Sequence, residues 1–251
     1  MSIVLKIGDQ NLSDQDLYPS LAQYRLLPQL AKEIVIDQAI ATITCTSEET
    51  TQAKQQFFQK NQITDEEQLK AWLNHYGMTS QQLEWLTVRD LKIEKFKQLT
   101  WGEQLEPYFF KCKGKLDKVL YSLIRTKDAG VAQELYFRIQ EEESTFPQLA
   151  KQYSQGSEAQ TGGLIGPVEL NVPHPKISHI LSTSRPGQLS PPTPVGDWWI
   201  ILRLEKYMSA QLDDPTRQRL INELFQGWLL TQFQQNVSFS PVEESVDSEE
   251  N

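Results

Sequence analysis

The chain has 251 residues, 39% of them hydrophobic, which is enough for one large domain or two modest ones with real cores. Its 33 acidic residues outnumber 24 basic ones for a formal charge of -9, and with no local basic patch this argues against general nucleic-acid binding. Cys45 and Cys112 show neither CxxC nor ligand spacing, so no disulfide framework or zinc site is indicated. No window reaches the roughly 18–20 apolar residues of a membrane helix. The start, Met1 to Asp9, has no basic region followed by a long apolar run, so the expectation is a soluble cytoplasmic protein without membrane insertion. A chain whose signal had been removed would read the same way.

In chain order, Ile3 to Gln10 alternates like a short strand ending in a turn, and Ser13 with Asp14 offers the N-cap of a first helix. Leu26-Leu27-Pro28 breaks that helix and starts another. The apolar positions of this second helix, Leu30, Ile34, Ile36, Ala39, Ile40 and Ile43, are nearly continuous, which predicts a central buried helix. Further helices start at Ser47-Glu48-Glu49, at Thr64 with a capping box to Glu67, and at Thr79 with a second box to Gln82. The last of these is long, running through Leu83, Leu86, Leu91, Ile93 and Phe96 to Trp101, and Pro107 marks a new start.

After Lys115 the pattern changes. Lys118 to Arg125 reads as a strand and Lys127 to Gly130 as a turn. Helical spacing then joins Ala132, Leu135, Tyr136 and Ile139, and again Phe146, Leu149, Ala150 and Tyr153. Thr161 to Pro167 reads as a loop whose glycines permit close backbone approach, and Trp198 to Leu204 as a buried strand. Beyond Tyr207, Asp213-Asp214-Pro215 opens a helix with the apolar stripe Leu220, Leu224, Trp228, Leu229 and Phe233. That stripe needs a partner, and the amino-terminal helices are the expected one. The acidic, apolar-poor end is expected to be disordered.

Four segments in register, Phe146 to Ser154, Gly162-Gly163-Leu164-Ile165-Gly166, Pro186 to Pro192 and Trp199 to Arg203, together resemble the parvulin family of peptidyl-prolyl isomerases. The flanking helices resemble the layout of SurA- and PrsA-like folding chaperones. The resemblance implies an α+β fold: a four-stranded antiparallel sheet with surrounding helices, plus an all-α chaperone-like module made from both ends of the chain. The corresponding division is residues 1–112 (amino-terminal helical domain), 116–207 (parvulin domain), 208–238 (carboxy-terminal helix packing on the first module) and 239–251 (acidic tail).

The resemblance further implies catalysis of isomerisation at Xaa-Pro bonds without a cofactor, on unfolded or proline-containing polypeptide clients. In the family, two strand histidines pack behind the site and an Asp or Cys faces the peptide carbonyl. Here the histidine positions fall on Ser122 and Trp199, and the Asp or Cys position on Gln155-Gly156, so no confident catalytic residue remains. The proline-holding positions fall on Ile165, Val172, Ile177, Leu189 and Trp199, which stay apolar. The alternative reading is a catalytically weak peptide-binding chaperone or adaptor.

The histidines present, His75, His174 and His179, read as surface or turn residues, and Trp198 and Trp199 alternate across their strand. Ser122, Ser154 and Ser157 have no base placed to activate them, which argues against a hydrolase. Glu142-Glu143 reads as a solvated helix end. The unpaired stripe of the last helix also fits a homodimer through the helical module.

Overall fold

The structure, a computed structural model, describes residues 3–240, with side chains from Leu5 onward. The tail expected to be disordered lies, from residue 241, outside the described residues. The described chain divides into two compact units. One comprises the residues up to Gln104 together with those from Gln218, and the other is Leu105–Arg217.

The first unit opens on an antiparallel hairpin of β1 (Ile3–Ile7) and β2 (Gln10–Ser13), where alternation had predicted a single strand. Helices α1 (Asp14–Gln23), α2 (Leu27–Ile40), α3 (Ser47–Lys60), α4 (Glu66–Tyr76) and α5 (Ser80–Trp101) follow. Local capping chemistry sets their starts. Thr46 with Glu49 and Thr79 with Gln82 form capping boxes, each satisfying backbone amides that the first turn cannot. The box predicted for Thr64 and Glu67 shifts by one residue: Asp65 is the cap of α4 and accepts from the Gln68 amide, while Thr64 bonds the Gln68 side chain.

The expectation of a central buried α2 is corrected. Ile36 and Ile40 are buried, but Leu30 and Ile34 remain 44% and 47% exposed. A run this rich in apolar residues puts some on every face of a helix, and only the Ile36/Ile40 side is covered here. The long α10 (Asp214–Asn236) buries Leu220, Ile221, Phe225 and Leu229. Along it Phe225 and Trp228 pack against Phe96 and Trp101 of α5 at centroid distances of 5.1–6.4 Å, edgewise in all but the tilted Phe96–Trp228 pair. Beside them the buried Lys97 donates to Glu94 (2.6 Å) and Asn222 (2.8 Å).

The second unit begins with α6 (Leu105–Leu116) and continues as β3 (Lys118–Thr126), α7 (Ala129–Gln140), α8 (Phe146–Tyr153), β4 (Leu164–Glu169), α9 (Pro175–Thr183), β5 (Leu189–Val195) and β6 (Trp198–Met208). The strands form one antiparallel sheet in the order β4-β3-β6-β5, the four-stranded α+β arrangement expected. Two of its strands were not legible as strands. β4 carries Gly166-Pro167 and β5 carries Pro191, Pro192 and Pro194, which is tolerable because both lie at edges, where a missing donor costs no ladder bond.

The central pair β3 and β6 stays in register from Tyr121↔Leu204 to Thr126↔Trp199, so their side chains alternate strictly between two cores. One core gathers Tyr121, Leu123, Ile200, Leu202 and Leu204 with Ile177 and Leu181 of α9. The other gathers Ile124 and Ile201 with Leu135, Phe146, Leu149 and Ala150 of α7 and α8.

Candidate functional site

A cleft of about 360 Å³ opens beside the first of these cores, lined by Leu123 and Arg125 of β3, Leu164 and Ile165 of β4, and Ser157, Glu158 and Thr161 of the 3-10 turn between α8 and β4. Gly163 brings that turn against the sheet. Its φ of +87° suits glycine, and a Cβ there would stand 2.8 Å from the Leu123 carbonyl and 3.0 Å from Phe146 and Ala150. The turn is closed by the Gly163 amide donating to the Glu158 carbonyl (2.7 Å) and the Leu123 amide to the Gly163 carbonyl (2.8 Å).

The wall of the cleft contains an ion pair. Arg125 Nη2 donates to Glu158 Oε2 (2.9 Å), while the Ser154 hydroxyl donates to Glu158 Oε1 (2.6 Å) and accepts from the Arg125 backbone amide (3.1 Å). The Glu158 side chain is 3% exposed and that of Arg125 33%. Burial and the Glu158 charge both push the Tyr121 hydroxyl up from its ordinary pKa. The guanidinium also lies 5.6 Å from the centre of the Trp198 ring, over which the Lys127 ammonium sits at 5.4 Å. Arg125 Nε is buried and has no hydrogen-bond partner among the described residues.

The pair explains Gly156. A Cβ built there would overlap Arg125 Nε and Nη2 and Glu158 Oε2, so the guanidinium occupies the room that an Asp or Cys at this position would need. The neighbouring Gln155 turns its amide oxygen back to accept from the Lys127 backbone amide (3.3 Å), which closes the loop.

Of the residues read as holding proline, Ile165 lines the cleft and Ile177 lies in the core behind it, 8% exposed. Val172, in the loop before α9, is 68% exposed. Leu189 packs against the opposite core, and alternation places Trp199 on that same side, leaving Trp198 on the side of the cleft. Ser122 likewise faces away, where its hydroxyl bonds Glu205 (2.5 Å), itself paired with Arg203 (2.8 Å). Ser122, Leu189 and Trp199 thus lie on the face of the sheet opposite the first core, because a one-residue step along a strand changes face. Leu123 lines the cleft, and Trp198 packs on the same face of the sheet.

Arg125 was not singled out in the sequence. The signal available was the step from the apolar Leu123-Ile124 to a cation in mid-strand, with a glycine where a side chain was expected some thirty residues later. His174 caps α9 by accepting from the Lys176 amide (3.3 Å), and His179 is exposed on the same helix. Among the described residues no cluster of three or more His, Cys, Asp or Glu could hold a metal, and no helix is long and apolar enough to cross a membrane. In the first unit, a groove of about 490 Å³ runs between α3 and α5 over Ala53, Phe57 and Leu91. Its Glu49 is paired with Lys95, and its Glu94 with Lys97.

Comparison with known proteins gives a family model described as Rotamase, PPIC-type PPIASE domain, matching residues 125–206. No curated protein matches the chain. Among solved structures it is similar to the peptidylprolyl isomerase PrsA from Bacillus cereus, at 18% identity and a TM-score of 0.49, covering 96% of this chain and 95% of that one. It is similar also to the foldase protein PrsA from Streptococcus pneumoniae, at 15% identity and a TM-score of 0.39, over 94% and 88% of the two chains. A structure of SurA-like chaperones from Campylobacter jejuni matches at 13% identity and a TM-score of 0.38, over 95% and 100%. Residues 125–206 therefore match the PPIC-type rotamase model, that of the parvulin-type prolyl isomerases.

Proposed function

We propose that this chain is a folding factor whose parvulin-type domain docks Xaa-Pro segments of unfolded polypeptides in the Leu123–Ile165 cleft and isomerises them slowly. The observation that carries this reading is the Arg125–Glu158 pair filling the space at Gly156.

Rotation about an Xaa-Pro bond must overcome roughly 18–20 kcal/mol, most of it the resonance that keeps the amide planar. Catalysis needs contacts that favour the twisted state over the planar one. The cleft offers an apolar wall for the pyrrolidine ring in Leu123, Leu164 and Ile165, which supports binding. Its carboxylate is committed to Arg125 and Ser154, and no thiol or imidazole lines it. The polar groups at hand are thus suited to holding a segment more than to turning it.

A protease-coupled isomerisation assay on a set of Xaa-Pro peptides, run beside a binding titration of the intact chain, tests the reading. Saturable binding with a rate only slightly above the uncatalysed background is expected. Absence of binding to every proline peptide, or turnover as fast as that of a parvulin that keeps both histidines, overturns it. As a folding factor the chain also suppresses aggregation of an unfolded client, and this activity does not depend on proline in the client.

A further inference from the structure

We propose that Arg125 is the residue that grips the carbonyl oxygen of a bound Xaa-Pro bond, and that this grip retains the planar amide and opposes its rotation. The assignment rests on the docking function above and adds to it a residue, an atom and a sign.

The bond preceding proline is a tertiary amide. Without an N–H it offers a polar site one group only, the carbonyl acceptor. A complementary cleft therefore needs a spare donor beside an apolar wall and has no use for a spare acceptor. The lining has a committed carboxylate and two side chains with donors to spare, Arg125 and the Ser157 hydroxyl, of which only Arg125 is cationic. Both oxygens of Glu158 are taken, by Arg125 Nη2 and the Ser154 hydroxyl, and the Thr161 hydroxyl bonds the carbonyls of Glu158 and Leu164. Of the five N–H donors in the planar fork of Arg125, one meets Glu158 and the one on Nε is buried, which leaves those at the tip of the guanidinium. Its side chain is one-third exposed at the cleft wall, and it is braced between the Trp198 ring and the space left by Gly156.

The sign follows from resonance. In the planar amide the oxygen carries negative charge drawn from nitrogen, and twisting the bond returns that charge to nitrogen. A cationic donor on the oxygen thus binds planar cis and trans forms more tightly than the twisted state. Such binding lowers the dissociation constant while raising the barrier. On this assignment Arg125 makes the cleft favour binding over turnover.

The test uses the full chain with a short peptide carrying one Ala-Pro bond and its thioxo analogue, in which sulfur, a poor acceptor, replaces the alanine carbonyl oxygen. Affinity is read by calorimetry and cis–trans exchange by NMR, for the intact protein, Arg125→Leu, Arg125→Lys, and Arg125→Leu combined with Glu158→Gln. The combined variant leaves no unpaired buried carboxylate, and so guards against loss of folding.

The intact protein is expected to bind the thioxo peptide roughly tenfold more weakly than the oxo peptide, about 1.4 kcal/mol. The leucine variants should show nearly equal affinities, with exchange at saturating peptide raised several-fold, and Arg125→Lys should fall between. Affinity and turnover moving in opposite directions is a readout that a structural role for Arg125 does not produce. An equal thioxo penalty in all four proteins overturns the assignment while leaving docking in place. So does a fall of exchange together with affinity, which would mean that the donor serves the rotating state. If the intact protein binds neither peptide, the docking function fails and the assignment with it.

Discussion

Replacing Asp117 tests how the second unit is closed. The side chain of Asp117, 7% exposed at the junction of α6 and β3, accepts from the Tyr207 hydroxyl (2.5 Å), the Ala210 amide (2.7 Å) and the Lys113 ammonium (3.0 Å). Its carbonyl accepts from the Leu170 amide (2.9 Å). One carboxylate therefore joins the chain entering the sheet to the chain leaving it. Asp117→Ala leaves a half-buried hydroxyl and a half-buried amide without their acceptor, and removing one partner of such a network costs about 3 kcal/mol. For a unit of this size that lowers the melting temperature by roughly 15 °C. Asp117→Asn keeps an acceptor for Ala210 but gives up the charge on two bonds, for about 2 kcal/mol.

Burial by itself pushes the Asp117 carboxyl pKa up, but the bonds from Tyr207, Ala210 and Lys113 outweigh burial and hold it below the usual carboxylate range. A carboxyl depressed on folding stabilises the native state above its unfolded pKa, and that contribution disappears as pH falls through the folded value. The stability gap between wild type and Asp117→Asn is thus constant near neutrality and shrinks below the ordinary carboxylate range. Denaturant melts of the full chain, followed by circular dichroism between about pH 7 and pH 3, measure it. The reasoning is refuted if Asp117→Ala loses less than about 1 kcal/mol, or if the gap to Asp117→Asn does not change with pH.

Tyr207 is expected to give the alkaline counterpart. Burial, then the bond to Asp117 and its charge, push the hydroxyl from 10.0 to about 12, so its contribution is present below the first value and is lost as pH rises through the second. Tyr207→Phe should cost about 1–2 kcal/mol at neutral pH and flatten the melting profile in that alkaline window. Gly163→Ala should destabilise the second unit by about 2–3 kcal/mol, through its positive φ and the close approach to the Leu123 carbonyl, as read by denaturant titration. Phe225→Ala, which removes the ring between Phe96, Trp101 and Trp228, should cost about 3–5 kcal/mol in the first unit. A large change in tryptophan fluorescence should accompany that loss, and retention of the native melting point would show that the aromatic cluster is not cooperative.

What the sequence determined by itself is what depends on neighbours a few residues apart. The capping box of Thr79 with Gln82, the Asp213 cap of the last helix and the helical spacing in α7 and α8 are satisfied by local backbone amides or by one face of one helix, and each was legible. The four-stranded antiparallel sheet was reached through the resemblance of four short segments, not through strand periodicity, because β4 and β5 are edge strands interrupted by glycine and proline.

Tertiary structure alone decided which face each strand residue takes and what meets across the sheet. Ser122 and Leu123 differ by one position and lie on opposite sides, and which of them faces the cleft is not decided until both faces have cores. Whether Leu30 and Ile34 are covered depends on what packs there, since an apolar helix face carries no information about its partner. The Arg125–Glu158 pair spans 33 positions, and its meaning depends on the space left by Gly156. No window of sequence contains that arrangement, because it exists only where a strand, a turn and an absent side chain meet.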